Sequence, residues 1–236
     1  MTLEARDITV IRSGARLLRE VSFAAKAGRF TAICGPNGAG KSTLLGVLAG
    51  GLRPDSGQVS LDGRQLDAWP EADLARKRAV VQQSSVLGFP FEVHEVVAMG
   101  RTPHEGRETR LEHQAVMAAA LTATGMTPFA SRNYLTLSGG ERQRAHLARA
   151  LAQVWRQQED GDTPWLLLDE PTAALDLKHQ IEVMRLFHRL SARGWGLVAV
   201  LHDLHLVSQY ADDIALLADG RIAAFGPVAE VLTPQS

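Results

Sequence analysis

The period of the hydrophobic positions changes along the chain, and each change marks an element. In residues 2–11 apolar side chains alternate around Leu3, Ile8 and Val10, and residues 17–23 continue in the same manner. With Ser13-Gly14 between them, the two runs predict an antiparallel strand pair. Residues 30–34, ending in Cys34, form a short apolar run of β type, and residues 44–49 read as a helix. Residues 54–57 predict a turn, 58–61 a short strand, and Asp62-Gly63 a hairpin turn. Residues 79–83 are a β run that ends in two amides, Gln82 and Gln83. From 92 to 99 and from 110 to 124 apolar residues recur with helical spacing. Residues 84–136 are therefore expected to be a mostly helical insertion into an α/β body made of residues 1–83 and 137–236.

The second half repeats a pattern of helix, buried strand and polar strand end. Ser138 is a good helix N-cap, followed by Gly139 and Gly140, and Glu141 stands three residues on, as in a capping box. That helix is expected to run to about Trp155, with Ala148, Leu151, Ala152 and Trp155 on one face. Residues 157–163 are polar and predict an exposed loop. Residues 165–168 are wholly apolar, as in a strand buried on both faces, and they run into Asp169-Glu170. Asp176 caps a helix that turns Val183, Leu186, Phe187 and Leu190 inward. Residues 197–201 form a second buried strand, ending at His202-Asp203. Residues 214–217, the turn at Asp219-Gly220 and residues 221–225 predict a closing hairpin.

Composition narrows the class. The 236 residues suffice for one large α/β domain. A formal charge of −1 argues against a protein that holds nucleic acid by neutralising phosphates. A single cysteine, Cys34, excludes an intramolecular disulfide and a cysteine metal site, and its place at the end of a buried strand suits a small core residue. No apolar run approaches the ~20 residues that span a bilayer, and Glu4, Arg6 and Asp7 interrupt any signal segment. A cytosolic chain is expected, with any membrane-spanning part supplied by other polypeptides.

The chemistry centres on Gly35-Pro36-Asn37-Gly38-Ala39-Gly40-Lys41-Ser42-Thr43, which fits G-x-x-x-x-G-K-[ST]. The glycines let the backbone turn tightly and aim N–H groups at phosphate oxygens. Lys41 places a charge on the β- and γ-phosphates of a nucleotide, and Ser42 offers a hydroxyl to Mg²⁺. A strand before the loop and a helix behind it are the context this motif requires. Several buried strands end at reactive groups, and in a doubly wound sheet such ends line one crevice. Asp169 is then placed to hold Mg²⁺ through water and Glu170 to orient or deprotonate the attacking water. His202 is placed to contact the γ-phosphate, and Gln83 to ligate the metal and sense that phosphate. Taken singly, an Asp-Glu pair at a strand end is an ordinary turn and a lone histidine an ordinary polar residue. Their order along the chain carries the reading.

The phosphate loop, the run Leu137-Ser138-Gly139-Gly140-Glu141 and the run from Leu166 through Asp169-Glu170-Pro171-Thr172 together resemble the ATP-binding subunits of ABC transporters over nearly the whole chain. The resemblance implies a P-loop NTPase fold with a RecA-like core, an N-terminal antiparallel β subdomain and a helical subdomain. It implies a head-to-tail pair of copies, in which Ser138, Gly139 and Gly140 of one complete the ATP site of the other. Asp176 resembles the loop that communicates between the two sites, although Ala173 stands where the family more often has serine. Many such ATPases stack adenine on an aromatic near the end of the first strand. Here Val10, Ile11 and Arg12 stand there, so stacking falls to Arg12. Residues 89–104, through Pro90, Gly100, Arg101, Pro103 and His104, are similar to the segment that meets a permease helix in importers of iron-siderophores, vitamin B12 and heme.

Within that group, residues 156–163 and Gln83-Ser84-Ser85 are most similar to heme-importer ATPases, with siderophore or B12 import as the alternative. The implied partners are a second copy of the chain, transmembrane permease subunits and a substrate-binding protein, with no nucleic acid and no direct membrane insertion. The implied place is the cytoplasmic face of a bacterial inner membrane. Neither His94 nor His104 is read as a heme ligand, and no Cys-x-x-Cys-His attachment motif is present. Two other classes compete: a non-transport regulatory or repair ATPase, and a small-molecule kinase. A single set of motifs without a heptad run counts against the first, and residues 137–141 against the second.

Overall fold

The computed structural model describes residues 1–83, 87–155 and 163–233. The chain begins with strands β1 (Thr2–Arg12), β2 (Ala15–Lys26) and β3 (Phe30–Cys34), then helix α1 (Lys41–Leu48). Strands β4 (Ser56–Leu61) and β5 (Arg64–Gln65), helix α2 (Glu71–Lys77) and strand β6 (Arg78–Val81) come after it. Three helices come next: α3 (Val93–Ala98), α4 (Arg110–Ala123) and α5 (Gly139–Val154). The rest is β7 (Trp165–Asp169), α6 (Leu177–Ala192), β8 (Gly196–Val200), α7 (Leu204–Tyr210), β9 (Asp213–Ala218), β10 (Arg221–Pro227) and α8 (Val228–Val231).

The strands form two sheets. An antiparallel one has the order β2-β1-β4-β5, and a six-stranded one the order β10-β9-β3-β8-β7-β6. In the larger sheet β6, β7, β8, β3 and β9 pair in parallel, and β10 adds an antiparallel edge. Strands β3 and β8 are buried at every residue and β7 at all but Asp169, as their unbroken apolar sequences require. Successive side chains of these strands go to opposite faces. Leu166 and Leu168 join one apolar cluster with α5 and α6, while Trp165 and Leu167 join a second with α1 and the small sheet. Helix α1 is thereby packed between the two sheets.

The first hairpin turns at Ser13 and Gly14 as its sequence predicts. It is also irregular: the register of β1 on β2 shifts between Ala5 and Ile8, between Ile8 and Val10 and between Val10 and Ile11, with Asp7 and Glu20 at φ 53° and 54°. Such bulges let Leu3, Ala5, Ile8 and Val10 all remain buried although their spacing is not strictly two. Helix α1 starts at Lys41, earlier than the apolar run suggests, because Gly40 already turns the chain with φ 99°. Helix α2 has one inward apolar residue, Leu74, too faint a period to be read from sequence.

The segment after β6 is helical as expected, with α3, α4 and short 3-10 turns at Met99–His104, Thr127–Phe129 and Tyr134–Thr136. Its Val93, Val97, Val116 and Ala120 pack in the same cluster as Ala148 and Leu151 of α5. The polar loop expected at 157–163 falls outside the described residues except for Thr163, and Ser84 and Ser85 fall outside them too. Among the described residues no helix is long and apolar enough to cross a membrane.

One contact tests this architecture. Gly196 sits beside Trp165 across the β7–β8 pair, and a Cβ on it would lie 2.4 Å from the enclosed indole ring. Neither backbone nor ring can yield, so Gly196→Ala is expected to cost about 2 kcal/mol. A thermal melt should show Tm lowered by about 4–8 °C.

Candidate nucleotide site

Residues 35–40 leave the end of β3 and curl back into α1. Gly35 has φ 147°, and a Cβ there would meet the Leu217 carbonyl of β9 at 2.1 Å. Only glycine lets the chain leave the sheet so close to its neighbour. Lys41 is 5% exposed, and its Nζ donates to Gly35 O and Pro36 O, each at 2.9 Å. An ammonium has three N–H donors. Two fix the loop's curvature around the cation, and one remains for an anion. Gly40 gives α1 no side-chain cap, and its first turn holds no acidic residue. The leading N–H groups of α1 thus keep their positive end open, while Pro36, Asn37 and Gly38 lie exposed at the rim.

The strand ends converge as the topology demands. Ser42 Oγ donates to Asp169 Oδ1 at 3.1 Å, joining α1 to β7. Burial raises the Asp169 carboxyl above the ordinary aspartate value and the Glu170 charge adds to this, while the Ser42 hydrogen bond and the Lys41 and His202 charges oppose it. Glu170 has φ 48°, a conformation a non-glycine residue holds at a cost of about 1–3 kcal/mol. Its N–H donates to Val200 O at 3.2 Å, which fixes the turn against β8. The carboxylate then bridges two strand ends. Gln83 Nε2 donates to Oε2 at 2.7 Å, and His202 Nε2 lies 2.5 Å from Oε1. Gln83, Glu170 and His202 stand just beyond β6, β7 and β8, three neighbours in the sheet. Beneath them the Cys34 thiol is 2% exposed, and burial pushes it up to about 11.

The donors present suit a hard cation. Ser42 offers a hydroxyl, Asp169 a carboxylate and Gln83 an amide oxygen, and Mg²⁺ takes one or two such ligands together with substrate phosphates. Among the described residues no group of three or more His, Cys, Asp or Glu could hold a metal ion by itself.

A second cluster of predicted residues lies apart from this loop. Ser138 caps α5, accepting from Glu141 N at 3.3 Å while the Glu141 carboxylate accepts from Ser138 N at 2.7 Å. That backbone hydrogen bond is the main reason the Glu141 carboxyl sits below its usual value. Gly139 and Gly140 face Ala174 and Leu175, and a Cβ on Gly140 would come 3.1 Å from Ala174 O. Asp176 caps α6, accepting from His179 N at 2.9 Å and lying 2.8 Å from His179 Nδ1. Among the described residues no hydrogen bond or ion pair links Ser138, Gly139, Gly140 or Asp176 to residues 35–43.

Arg12 stands at the end of the first hairpin, with its guanidinium donating to Asp55 Oδ2, Arg53 O and Ile11 O at 3.1, 2.9 and 2.7 Å. Residues 100–104, which carry the importer resemblance, turn inward. Arg101 and His104 are 2% and 1% exposed, and both pair with Glu108. Arg101 also donates to Ala152 O at 2.5 Å, and His104 Nε2 lies 2.7 Å from Gln153 O. They fasten the segment to the end of α5, while Phe89 at 69% exposure is its large outward apolar group. Sequence reasoning missed Asp203, whose carboxylate caps α7 by accepting from His205 N and Leu206 N at 2.8 and 3.2 Å. This steadies the turn that carries His202. An aspartate just before a helical run was the available signal.

The sequence pattern of the family described as ABC transporter matches residues 18–173. A protein of Nocardia farcinica named hemin import ATP-binding protein HmuV is 51% identical over 99% of this chain and 80% of its own length. One of the same name from Gloeobacter violaceus is 49% identical over 99% of this chain and 84% of its own. Among solved structures, the dimeric post-hydrolysis state of the ATP-binding cassette MJ0796, bound to ADP and Pi, superposes with a TM-score of 0.82. It is 26% identical and covers 96% of this chain and 98% of its own.

Two outcomes test the electrostatics. The Asp169 carboxyl is raised in the folded chain, so its ionised form opposes folding, and the penalty grows as pH rises above the ordinary carboxylate range. Asp169→Asn should therefore raise the Tm of the nucleotide-free chain at neutral pH, with the gain fading in acid, while hydrolysis falls by about 100-fold. Iodoacetamide at neutral pH should leave Cys34 unmodified in the folded chain and alkylate it only after denaturation, as detected by mass spectrometry.

Proposed function

The chain belongs to the ABC transporter family, and on that premise we propose that it hydrolyses ATP to drive heme import through a membrane permease. The carrying observation is identity of about half with two hemin import ATP-binding proteins, each along 99% of this chain. The chain works at the cytoplasmic face of the bacterial inner membrane, with permease subunits and a substrate-binding protein supplying passage and capture.

The phosphates of ATP lie in the curl of residues 35–40, held by loop N–H groups and by the remaining donor of Lys41. Ser42 and Gln83 would hold Mg²⁺, with Asp169 acting through water, and the ion would supply positive charge to neutralise the phosphate oxygens. Glu170 orients the attacking water and takes its proton, and His202 holds Glu170 and faces the γ-phosphate. Lys41 and the loop amides stabilise charge as it develops on the transferred phosphoryl group. Arg12 lies under the adenine. Two copies pair head to tail, so that Ser138, Gly139 and Gly140 of one cover the triphosphate of the other, with Asp176 at the seam. The likeness to the dimeric cassette MJ0796, at a TM-score of 0.82, supports this pairing, in which each chain carries two half-sites. The subdomain of residues 84–136, whose helices α3 and α4 pack against α5, passes the closing motion to the permease.

Glu170→Gln should slow phosphate release by about 100-fold or more while an ATP-bound dimer persists on gel filtration. Unchanged turnover would remove Glu170 from the reaction. Reconstitution with the permease and binding protein should show ATPase stimulation by heme. Stimulation by a siderophore or vitamin B12 instead would reassign the cargo.

A further inference from the structure

Between Glu170 and the start of α6 the chain makes a turn whose shape no strand or helix imposes. Two backbone hydrogen bonds frame it, Ala173 N to Glu170 O and Leu175 N to Thr172 O, and Gln180 N to Asp176 O then opens α6. Besides the Asp176 cap, the Gln180 side chain fastens it to α6. The Gln180 amide nitrogen donates to Leu175 O at 3.0 Å and to Thr172 O at 3.3 Å. An amide nitrogen has two donors, and both go to this one turn. Helix α6 is a firm base for the hold, since Val183, Met184, Phe187 and Leu190 are buried in the main apolar cluster.

The turn so fastened touches both half-sites. At its start stands Glu170, in a left-handed conformation that persists only if neighbouring structure enforces it. On its far side Ala174 and Leu175 abut Gly139 and Gly140. The geometry points to Gln180 as a positioning residue for hydrolysis: by pinning Thr172 and Leu175 it fixes the Glu170 carboxylate and the diglycine turn relative to one another. The residue touches neither nucleotide nor water, and acts through Glu170. This inference rests on the base role proposed for Glu170. What it requires of position 180 is an N–H donor of the right reach, so an apolar side chain of equal length removes the function and another donor keeps it.

The test is steady-state hydrolysis by the full chain with MgATP, comparing wild type, Gln180→Met, Gln180→Lys and Glu170→Gln, with Tm measured for each. Gln180→Met should lower kcat about tenfold with KM little changed, because the reacting geometry loosens while the phosphate cradle stays intact. Gln180→Lys should recover most of that loss, and the Tm of both should stay near the wild-type value. A residue that only supported the fold would lower Tm and leave the kcat of the remaining folded protein unchanged. Gln180→Met with wild-type kcat overturns the inference, and so does Gln180→Lys falling as far as Gln180→Met. Full turnover in Glu170→Gln overturns the base assignment and this inference together. A dead Glu170→Gln beside an active Gln180→Met overturns the Gln180 role alone.

Discussion

Five strands running the same way must bring their carboxyl ends to one edge, and the chemistry of this chain depends on that constraint. Asp169 pairs opposite Val200, and Val200 opposite Ile33, so β7, β8 and β3 stop at nearly the same level. The residues just beyond each strand are therefore delivered to a common crevice, whatever their distance along the chain. Gln83 and Glu170 are 87 positions apart and share a hydrogen bond, and Ser42 and Asp169 are 127 apart and do the same. The buried apolar runs fix the strands, and the strands fix the meeting place.

The crevice is arranged at some cost to the folded chain. A half-buried aspartate with its carboxyl raised, a glutamate with positive φ and a nearly enclosed lysine each carry a cost of desolvation or backbone strain. They are tolerated because the surroundings hold them: carbonyls curl around Lys41, a serine reaches Asp169, and β8 grips the Glu170 backbone. Charge and strain gathered in one place, inside an otherwise apolar sheet, are the physical mark of a working site.

Much of this is legible in the sequence alone. The phosphate loop, the N-caps at Ser138 and Asp176 and the buried strands all depend on neighbours within a few positions, and local chemistry is what a sequence displays. Features that depend on distant partners are harder to see. The bulges of β1 arise from pairing with β2, and α2 presents a single inward leucine. Arg101 and His104 look like surface groups until Glu108 and the carbonyls at the end of α5 are seen to receive them. Gln180 carries no motif, and its meaning lies wholly in the two carbonyls it reaches.

The helices between β6 and α5 possess no interior of their own. Val93, Val97, Val116 and Ala120 share one cluster with α5 and the sheet, and Glu108 draws Arg101 and His104 onto the carbonyls of Ala152 and Gln153. This region is consequently not a detachable module. An engineer grafting that stretch from a cousin would have to transplant the matching side of α5 with it, because the two surfaces share one apolar cluster and one set of buried ion pairs.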